Sequence, residues 1–532
     1  MTGSPETLDI TVLVGLLVLA GALVAPRLRL PVPLALLFLG ALAGFIPLVR
    51  DIHLPSEAVL VLFLPPLLFW ESLTTSLREI RRDLRGILLL STLLVVATAF
   101  GIAGIGTAFG MSFGAALILG AALAPTDATA VAAMARTLPH RNMTLLRAES
   151  LINDGTALVL YTLAVGITIG QETYSEWTIT GLVALAYLGG AAIGAVAGWL
   201  STQLLRRLPD SILNNEALVL VPFVAFLGAE LIHASGVIAV VVAGLILSQS
   251  GPRVSTPQSR QQTFGFWSLT TFILNGALFV LIGIEAQSSL RAVPAEQIIP
   301  LLILTVVAWA AVVVIRFAFQ MISVSLIRTL DRRPSQRQRR MPHRARVVSA
   351  VAGFRGAVSL AVALAVPTAL ATGQPFPGRD QIVFVAAGVV LLTLVIQGML
   401  LPAAIRWAKF APDTTVDDEL ALAQETSTRE ALANVADVSA RLGVSDQVRD
   451  QMIDEYRKHL AVLAADPRAD DEQQLLERDR EYARLRLALL DHKRDVMIEL
   501  RDNHSISDTT LRIVQARLDR EALRITQPEI LE

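Results

Sequence analysis

The sequence predicts an all-α protein that crosses a membrane many times and ends in a helical domain in water. Of its 532 residues 53% are hydrophobic and only 17% are charged, whereas about 25% are charged in an average soluble domain. The net charge of −1 is a cancellation, because residues 1–411 hold 28 basic and 19 acidic side chains and residues 412–532 hold 17 and 27. These observations predict a transmembrane domain over 1–411 and a cytoplasmic helical tail over 412–532.

Thirteen apolar runs, bounded by charged or Pro/Gly-rich breaks, are candidates for spans of the roughly 20 residues that a helix needs to cross a bilayer core. Their approximate limits are 9–25, 31–48, 56–76, 86–108, 112–136, 146–170, 177–204, 213–232, 235–250, 263–286, 297–325, 346–371 and 380–405. The first run is not a cleavable signal peptide, because Glu6 and Asp9 replace a basic flank and no clear cleavage site follows. Spans 8 and 9 are separated only by residues 233–235.

Arginine in the short loops predicts the orientation. With the N-terminus outside, 21 arginines fall in inner loops, and only Arg50, Arg291 and Arg379 fall in outer ones. Because short loops rich in Arg and Lys stay in the cytoplasm, this asymmetry predicts an odd number of spans and a cytoplasmic C-terminus. Merging spans 8 and 9 would place the arginine-rich loop 328–346 outside, so the charge bias supports thirteen spans.

The tail has the pattern of solvated amphipathic helices over 417–465, 470–500 and 505–524. It contains no phosphate loop, metal-ligand spacing or nucleophile elbow, so we expect a bundle for assembly or regulation; a ligand-sensing domain is the alternative. The loop 332–346 is suited to binding anionic lipid or the acidic tail, or it simply reflects the orientation.

Ionisable residues inside the spans are the first candidates for function, because a charge at bilayer depth costs about 2.5–3.5 kcal/mol on insertion scales. They are Glu71, Asp127, Glu149, Asp154, Glu230, Glu285, Arg316 and Arg355. Glu230 with His233 is either a pH sensor or a structural surface pair, and Glu285 is either functional or an exposed charge at the outer end of span 10. Arg316 lies deep in span 11, where it neutralises a buried acid or bonds carbonyl groups; its partner cannot be read from the sequence.

Span 5 is interrupted by Pro125, Thr126 and Asp127 in an otherwise apolar run. Proline removes a backbone donor and breaks the helix, and a broken helix at membrane depth is tolerated only where it is buried or lines a cavity. Such breaks are typical of cation sites in secondary transporters. The alternative is a proline kink with a capping aspartate.

Span 6 places Ser150, Asn153 and Asp154 on one helix face. Together with Thr126 and Asp127 they offer only oxygen ligands, which suit a hard cation such as Na⁺ and argue against a transition metal. A carboxylate taken out of water loses hydration, and either a proton or a bound cation compensates for that loss. Mutually exclusive binding of the two at Asp154 is the chemistry of an antiporter. The chain has no cysteine, which excludes a disulfide framework.

These segments carry a family resemblance. PTDATAVAAM (125–134) and ESLINDGTALVLY (149–161) are similar to the paired signatures of the monovalent cation:proton antiporter-1 family, the Na⁺/H⁺ exchangers. Five further segments agree with the family in order: FLPPLLFWES (63–72), GAELIHASGVIAVVVAG (228–244), LNGALFVLIGIE (274–285), GFRGAVSLAVAL (353–364) and GVVLLTLVIQGMLLP (388–402). The resemblance covers the whole membrane domain.

The resemblance implies a role for each matching residue. It implies an ion-site pair at Asn153 and Asp154, with Asp154 the essential carboxylate for cation and proton. It implies further ligands at Asp127, the Thr126 carbonyl and the Ser150 hydroxyl, so that the monovalent cation sits at Asp127, Ser150 and Asp154. Glu71 matches an acid that closes the site in some members.

The resemblance also implies a buried ion pair between Glu149 and Arg355, which would link span 6 to a second broken helix, span 12. Ala128 stands where many members have proline, so the geometry beside Asp127 is the point of departure from the family.

The fold implied by the resemblance has inverted repeats, broken and crossed transmembrane helices 5 and 12, and a homodimer interface made by other helices. The implied function is exchange of Na⁺, K⁺ or Li⁺ for H⁺ in the bacterial inner (cytoplasmic) membrane, by elevator-type movement. No cofactor, no enzymatic activity and no nucleic-acid partner are expected; the partners are the transported ions, membrane lipid and a second copy.

One-for-one, electroneutral exchange is the predicted stoichiometry, because Asn153 cannot titrate and leaves Asp154 as the single carboxylate of the pair. No span contains a lysine, so the positively charged competitor of the cation that is usual in electrogenic relatives is absent. Arginine cannot take that role, because it stays charged. Asp127 and Glu71 are the other carboxylates that a proton could occupy. The alternatives are a K⁺-preferring antiporter of the same fold, a cation channel and a signalling receptor.

Overall fold

The structure is a computed structural model, and it describes ten stretches of the chain. These are residues 5–28, 30–46, 56–134, 138–169, 176–208, 210–330, 342–370, 374–411, 413–465 and 470–526. Within these stretches the regular structure is helical, and the only β-type pairing is an isolated bridge between Ala369 and Pro375. The all-α prediction is therefore confirmed. The chain divides into two compact units, Met1–Pro412 and Asp413–Glu532.

The described part of the first unit contains eighteen α-helices. They are α1 (Pro5–Leu28), α2 (Val32–Ala43), α3 (Ser56–Leu73), α4 (Leu77–Leu88), α5 (Leu94–Ala108), α6 (Phe113–Leu123), α7 (Ala128–Met134), α8 (His140–Ile169), α9 (Glu176–Ala184), α10 (Gly190–Arg207), α11 (Ser211–Glu230), α12 (Gly236–Val254), α13 (Pro257–Ala292), α14 (Ala295–Leu330), α15 (His343–Val351), α16 (Ala357–Leu364), α17 (Arg379–Leu392) and α18 (Gly398–Ala408). Three π-helical turns, Leu89–Leu93, Leu185–Gly189 and Thr393–Gln397, join α4 to α5, α9 to α10 and α17 to α18.

Each predicted span coincides with one helix or with consecutive helices of this series. Nine described helical stretches are long and apolar enough to cross a membrane, and three shorter apolar ones accompany them. Spans 8 and 9 are separate helices, α11 and α12, divided by a turn at 231–235. Spans 5 and 12 are each broken, into α6 and α7 and into α15 and α16. The number of helices that cross the bilayer stays a prediction, as does the inverted repeat.

The helices of the first unit pack in two groups. We call α1–α3 with α9–α13 the scaffold group, and α4–α8 with α14–α18 the site group, because the members of each pack mainly with one another. Glycines permit the close approach: a Cβ added at Gly194 would lie 2.9 Å from Ala239 Cα, and one at Gly120 would lie 2.9 Å from the Ala99 carbonyl carbon. Such small-residue contacts favour helix association in a bilayer, where the hydrophobic effect does not drive helices together. The groups meet along α3, α12 and α13 on one side and α8, α16 and α17 on the other.

The second unit consists of helices α19 (Thr415–Leu442), α20 (Asp446–Leu463), α21 (Asp470–Asp502) and α22 (Asp508–Thr526). The stretch 417–465 is two helices instead of one, because Gly443 adopts a left-handed conformation with φ 65° and ends α19. Helices α21 and α22 form a hairpin, across which Arg494 pairs with Asp519 at 2.9 Å. The assignment of residues 1–411 to a transmembrane domain and of residues 412–532 to a cytoplasmic tail stays a prediction.

Candidate ion site

The break in span 5 places Asp127 at the start of a half-helix. Helix α6 ends at Leu123, and α7 begins at Ala128. The Asp127 Oδ1 accepts hydrogen bonds from the backbone N–H groups of Thr129 (2.8 Å) and Ala130 (3.2 Å). Asp127 therefore caps the second half-helix, as aspartate does at many helix N-termini. Asp127 is therefore a capping residue, as the alternative prediction states. The break also places Thr126 and Asp127 against the neighbouring helices.

The two broken segments meet at their breaks. The Asp127 N–H donates to the carbonyl oxygen of Phe354, between α15 and α16, at 2.8 Å. A Cβ added at Gly356 would lie 2.5 Å from Asp127 Cγ and closer still to Oδ2. Only glycine therefore leaves room for the carboxylate at this crossing.

Arg355 replaces the backbone donors that the break removes. Its Nε donates to the Leu123 carbonyl at 2.9 Å, and its other nitrogens reach the carbonyls of Gly353 and Ala124. These are carbonyls at the end of α6 and beside the second break, where a helix lacks partners and carries partial negative charge. A buried guanidinium with five donors suits this position.

Helix α8 presents its polar face to the break in span 5. Ser150 Oγ donates to the Thr126 carbonyl at 2.9 Å, and Asn153 Nδ2 donates to Thr126 Oγ1 at 2.8 Å. Asn153 and Asp154 are each only 1% exposed. The structure thus brings together Thr126, Asp127, Ser150, Asn153 and Asp154. Their role as ion ligands stays a prediction.

Three buried oxygens near this point have no hydrogen-bond partner among the described residues: Glu71 Oε1, Asn153 Oδ1 and Asp154 Oδ1. The carboxyl groups of Glu71, Asp127 and Asp154 are close enough to interact electrostatically. Buried polar oxygens without partners are costly, and grouped carboxylates repel one another when charged. A proton or a cation placed among them would relieve both costs.

The described side chains around the break supply oxygen atoms as ligands. No group of three His, Cys, Asp or Glu side chains in the described part of the chain is arranged to hold a metal ion. The arrangement offers carboxylate, amide, hydroxyl and backbone oxygens instead.

The expected ion pair between Glu149 and Arg355 is wrong. Glu149 pairs with Arg316 of α14, through Nη1 to Oε1 and through Nη2 to Oε2 at 3.0 Å. Arg316 Nε also donates to the Ser349 carbonyl of α15 at 3.1 Å. The guanidinium of Arg355 is occupied by carbonyl groups, so the carboxylate of α8 takes the other buried arginine. Arg316 therefore joins α8, α14 and α15, and its partner is identified.

Two other acids are placed away from these oxygens. Glu285 is not an exposed charge: it pairs with Arg379 at 3.1 Å, and the two side chains are 13% and 16% exposed. Arg379 Nε also donates to the Val366 carbonyl beyond α16. Glu230 and His233 lie exposed at the turn between α11 and α12, which favours the structural interpretation.

Sequence reasoning missed Phe354 and Gly356 as the residues that receive Asp127. The sequence holds a signal in Gly353 and Gly356, which flank Arg355 and permit irregular backbone, but their spacing does not identify the partner.

Comparisons with known proteins give a consistent result. The family model "Sodium/hydrogen exchanger, transmembrane" matches residues 14–407. An "Uncharacterized Na(+)/H(+) exchanger" of Mycobacterium tuberculosis is 40% identical over 513 residues, which are 96% of this chain and 95% of the relative. A "Sodium, potassium, lithium and rubidium/H(+) antiporter" of Bacillus pumilus is 30% identical, over 82% of this chain and 67% of the relative. The structure of the sodium proton antiporter MjNhaP1 from Methanocaldococcus jannaschii matches with a TM-score of 0.58 and 17% identity, over 76% of this chain and all of that one.

Proposed function

The chain belongs to the sodium/hydrogen exchanger family, and from this premise we propose that it exchanges Na⁺ for H⁺ at the site built around Asp154. The family consists of multi-pass membrane transporters, not enzymes, and its substrates are monovalent cations and protons. The proposal assigns this chemistry to particular residues and to a particular cation.

The observation that carries the proposal is a set of buried oxygens at Glu71, Asn153 and Asp154, which have no hydrogen-bond partner in the described part of the chain and lie beside two broken helices. An oxygen-lined break in a helix at membrane depth is suited to a cation. The acid Asp154 lies next to it on α8, so one carboxylate can hold the proton in one half of the cycle and the cation in the other.

In the proposed cycle, Asp154 releases its proton to one side and then binds the cation together with Asp127, Ser150 and the Thr126 carbonyl. Asn153 holds the Thr126 hydroxyl and keeps the break in register with α8. Glu71, on the scaffold group, faces the site from α3 and closes it. The loaded site then opens to the other side, where a proton displaces the cation.

The proposed exchange is one for one and electroneutral. Asn153 does not titrate, Glu149 is committed to Arg316, and Arg355 is committed to backbone carbonyls. Asp127 and Glu71 are the other carboxylates near the site, and in the proposal Asp154 is the one that alternates between proton and cation.

The proposed movement is of elevator type, with the site group moving against the scaffold group. The separation of the helices into two groups that meet along α3, α12 and α13 supports it. In the proposal the scaffold group also forms a homodimer interface, the N-terminus lies outside, the tail is cytoplasmic, and lipid surrounds the apolar outer faces.

The test is exchange in everted membrane vesicles with a pH-sensitive dye. Adding Na⁺ should collapse a pre-set proton gradient with the wild-type chain and should not do so with Asp154→Asn. Glu296→Gln, at an exposed carboxylate in the first turn of α14, is the matched control and should exchange normally. Full exchange by Asp154→Asn, or none by the wild type with any cation, would overturn the proposal.

Potassium and lithium are the second candidates, because the name of the B. pumilus relative includes both. The same vesicles given K⁺ or Li⁺ rank the cations.

Clamping the membrane potential with valinomycin tests electroneutrality, because the rate of an electroneutral exchange should not change. A channel would instead let the cation pass without coupled proton movement, and a receptor would not move either ion.

A further inference from the structure

A hydrogen bond joins the scaffold group to the site group about half a turn of α8 from Asp154. The Tyr187 hydroxyl, on the scaffold group, donates to Thr156 Oγ1 of α8 at 2.6 Å. Thr156 is 3% exposed and follows Asp154 by two residues. The link therefore fixes α8 at the height of the carboxylate that the proposed function uses.

The turn that carries Tyr187 is hydrogen-bonded to the segment just before α12. It lies in the π-helical turn Leu185–Gly189, and the Ser235 N–H before α12 donates to the carbonyl of Ala186 at 3.2 Å. A π-turn adds one residue to a helix and is frequent at functional sites. Here it turns the Tyr187 ring toward α8.

Thr156 is equally well placed to receive the bond. Its hydroxyl donates to the Ile152 carbonyl on its own helix at 3.2 Å, so its oxygen remains available as an acceptor. A Cβ added at the preceding Gly155 would lie 2.9 Å from Ile238 Cγ1. Helix α8 therefore lies directly against α12 here, and a shift of a few ångströms along α12 would separate Tyr187 from Thr156.

We propose that Tyr187 is a positioning residue for transport, whose hydroxyl stabilises the arrangement of the two helix groups seen here relative to the arrangement that opens the site to the other side. The inference rests on the proposed alternating-access function. A contact made in only one of two arrangements shifts the equilibrium between them by its own free energy. Loss of the bond should therefore favour the other arrangement.

The ratio of apparent KM values from the two membrane faces measures this equilibrium. The apparent affinity from each side scales with the fraction of protein that faces that side, so the ratio of the two follows the equilibrium constant. Everted and right-side-out vesicles give the two KM values for Na⁺. A net hydrogen bond corresponds to a change of about twofold to tenfold in that ratio.

Tyr187→Phe removes the donor, and Thr156→Val removes the acceptor with little change of shape. Both should shift the KM ratio in the same direction, and the double variant should shift it no further. The matched control is Thr162→Val, since among the described residues the Thr162 hydroxyl bonds only to the Leu158 carbonyl of its own helix, at 3.0 Å. A general loss of folded protein would lower Vmax and leave the ratio unchanged, so an unchanged ratio overturns the inference.

A second measurement does not depend on transport. The chain contains no cysteine, and the ion pair of Glu285 on α13 with Arg379 on α17 also crosses between the groups. With Glu285→Cys and Arg379→Cys, a short bifunctional thiol reagent should cross-link this arrangement, and Tyr187→Phe should slow the reaction where Thr162→Val does not. If Tyr187→Phe slows cross-linking but the wild-type chain exchanges no cation, the positioning role would be supported and the proposed function overturned. Equal cross-linking rates would overturn the positioning role.

Discussion

Gly356 and Asp127 share the space in which the two broken segments cross. In Gly356→Ala the new methyl group would overlap the Asp127 carboxylate, and overpacking of this kind costs about 1–3 kcal/mol. We expect at least tenfold slower exchange and a lower unfolding temperature in detergent. Gly104→Ala in α5 is the control, because a Cβ there meets nothing within 4 Å. Wild-type exchange by Gly356→Ala would show that the carboxylate is not needed in its present position.

Asp127 has a capping role and a proposed charge role, and two variants separate them. Asparagine is as good an N-cap as aspartate, whereas alanine costs about 0.5–2 kcal/mol at such a position. Asp127→Asn should therefore unfold at nearly the wild-type temperature but bind Na⁺ more weakly, seen as a higher KM. Asp127→Ala should lose both stability and exchange. Equal KM values for Asp127→Asn and the wild type would leave helix capping as the only role of Asp127.

The ion pair of Glu149 and Arg316 acts at the scale of helices, because it fastens α8 to α14 and, through Ser349, to α15. Removing one partner leaves the other charge buried and alone, which costs about 3–5 kcal/mol. Glu149→Gln and Arg316→Met should each lower the thermal unfolding temperature strongly, and the double variant should recover much of the loss. If the double variant lost as much stability as the two single variants together, the ion pair would not be the cause of their instability.

Helix positions could be predicted because hydrophobic length and loop charge are properties of the sequence itself. The break at Pro125 could be predicted for the same reason, since proline acts locally, whereas the break around Arg355 was implied only by the family resemblance. The three π-turns could not, because one inserted residue leaves the apolar run unchanged. Gly443 was overlooked as a helix end within a charged stretch.

The oxygens around Asp154 could be predicted as a set, because spacings of three and four residues place Ser150, Asn153 and Asp154 on one face. The partner of Glu149 could not. Two arginines were available, and the choice between them depends on which guanidinium the carbonyls of α6 already occupy. That is a property of three-dimensional packing and leaves no trace in spacing.

At the scale of the whole molecule, every residue proposed for the ion site lies in the first unit, Met1–Pro412. We therefore expect a chain truncated after residue 412 to retain exchange with an unchanged KM for Na⁺, measured in everted vesicles at matched protein level. A full-length chain reconstituted beside it is the control. A truncated protein that reaches the membrane but exchanges no cation would make the tail a required part of the transporter.

The amide of Asn153, bound to the Thr126 hydroxyl, has a consequence for cellular energetics. An uncharged residue at that position means that, in the proposed cycle, the moving site carries the same net charge whether it is loaded with Na⁺ or with H⁺. Moving one charge through a potential of 100 mV is worth about 2.3 kcal/mol, and this exchanger would neither gain nor spend that energy. Its direction would be set by the two concentration ratios alone, so a cell with a collapsed membrane voltage could still use a sodium gradient to adjust its internal pH.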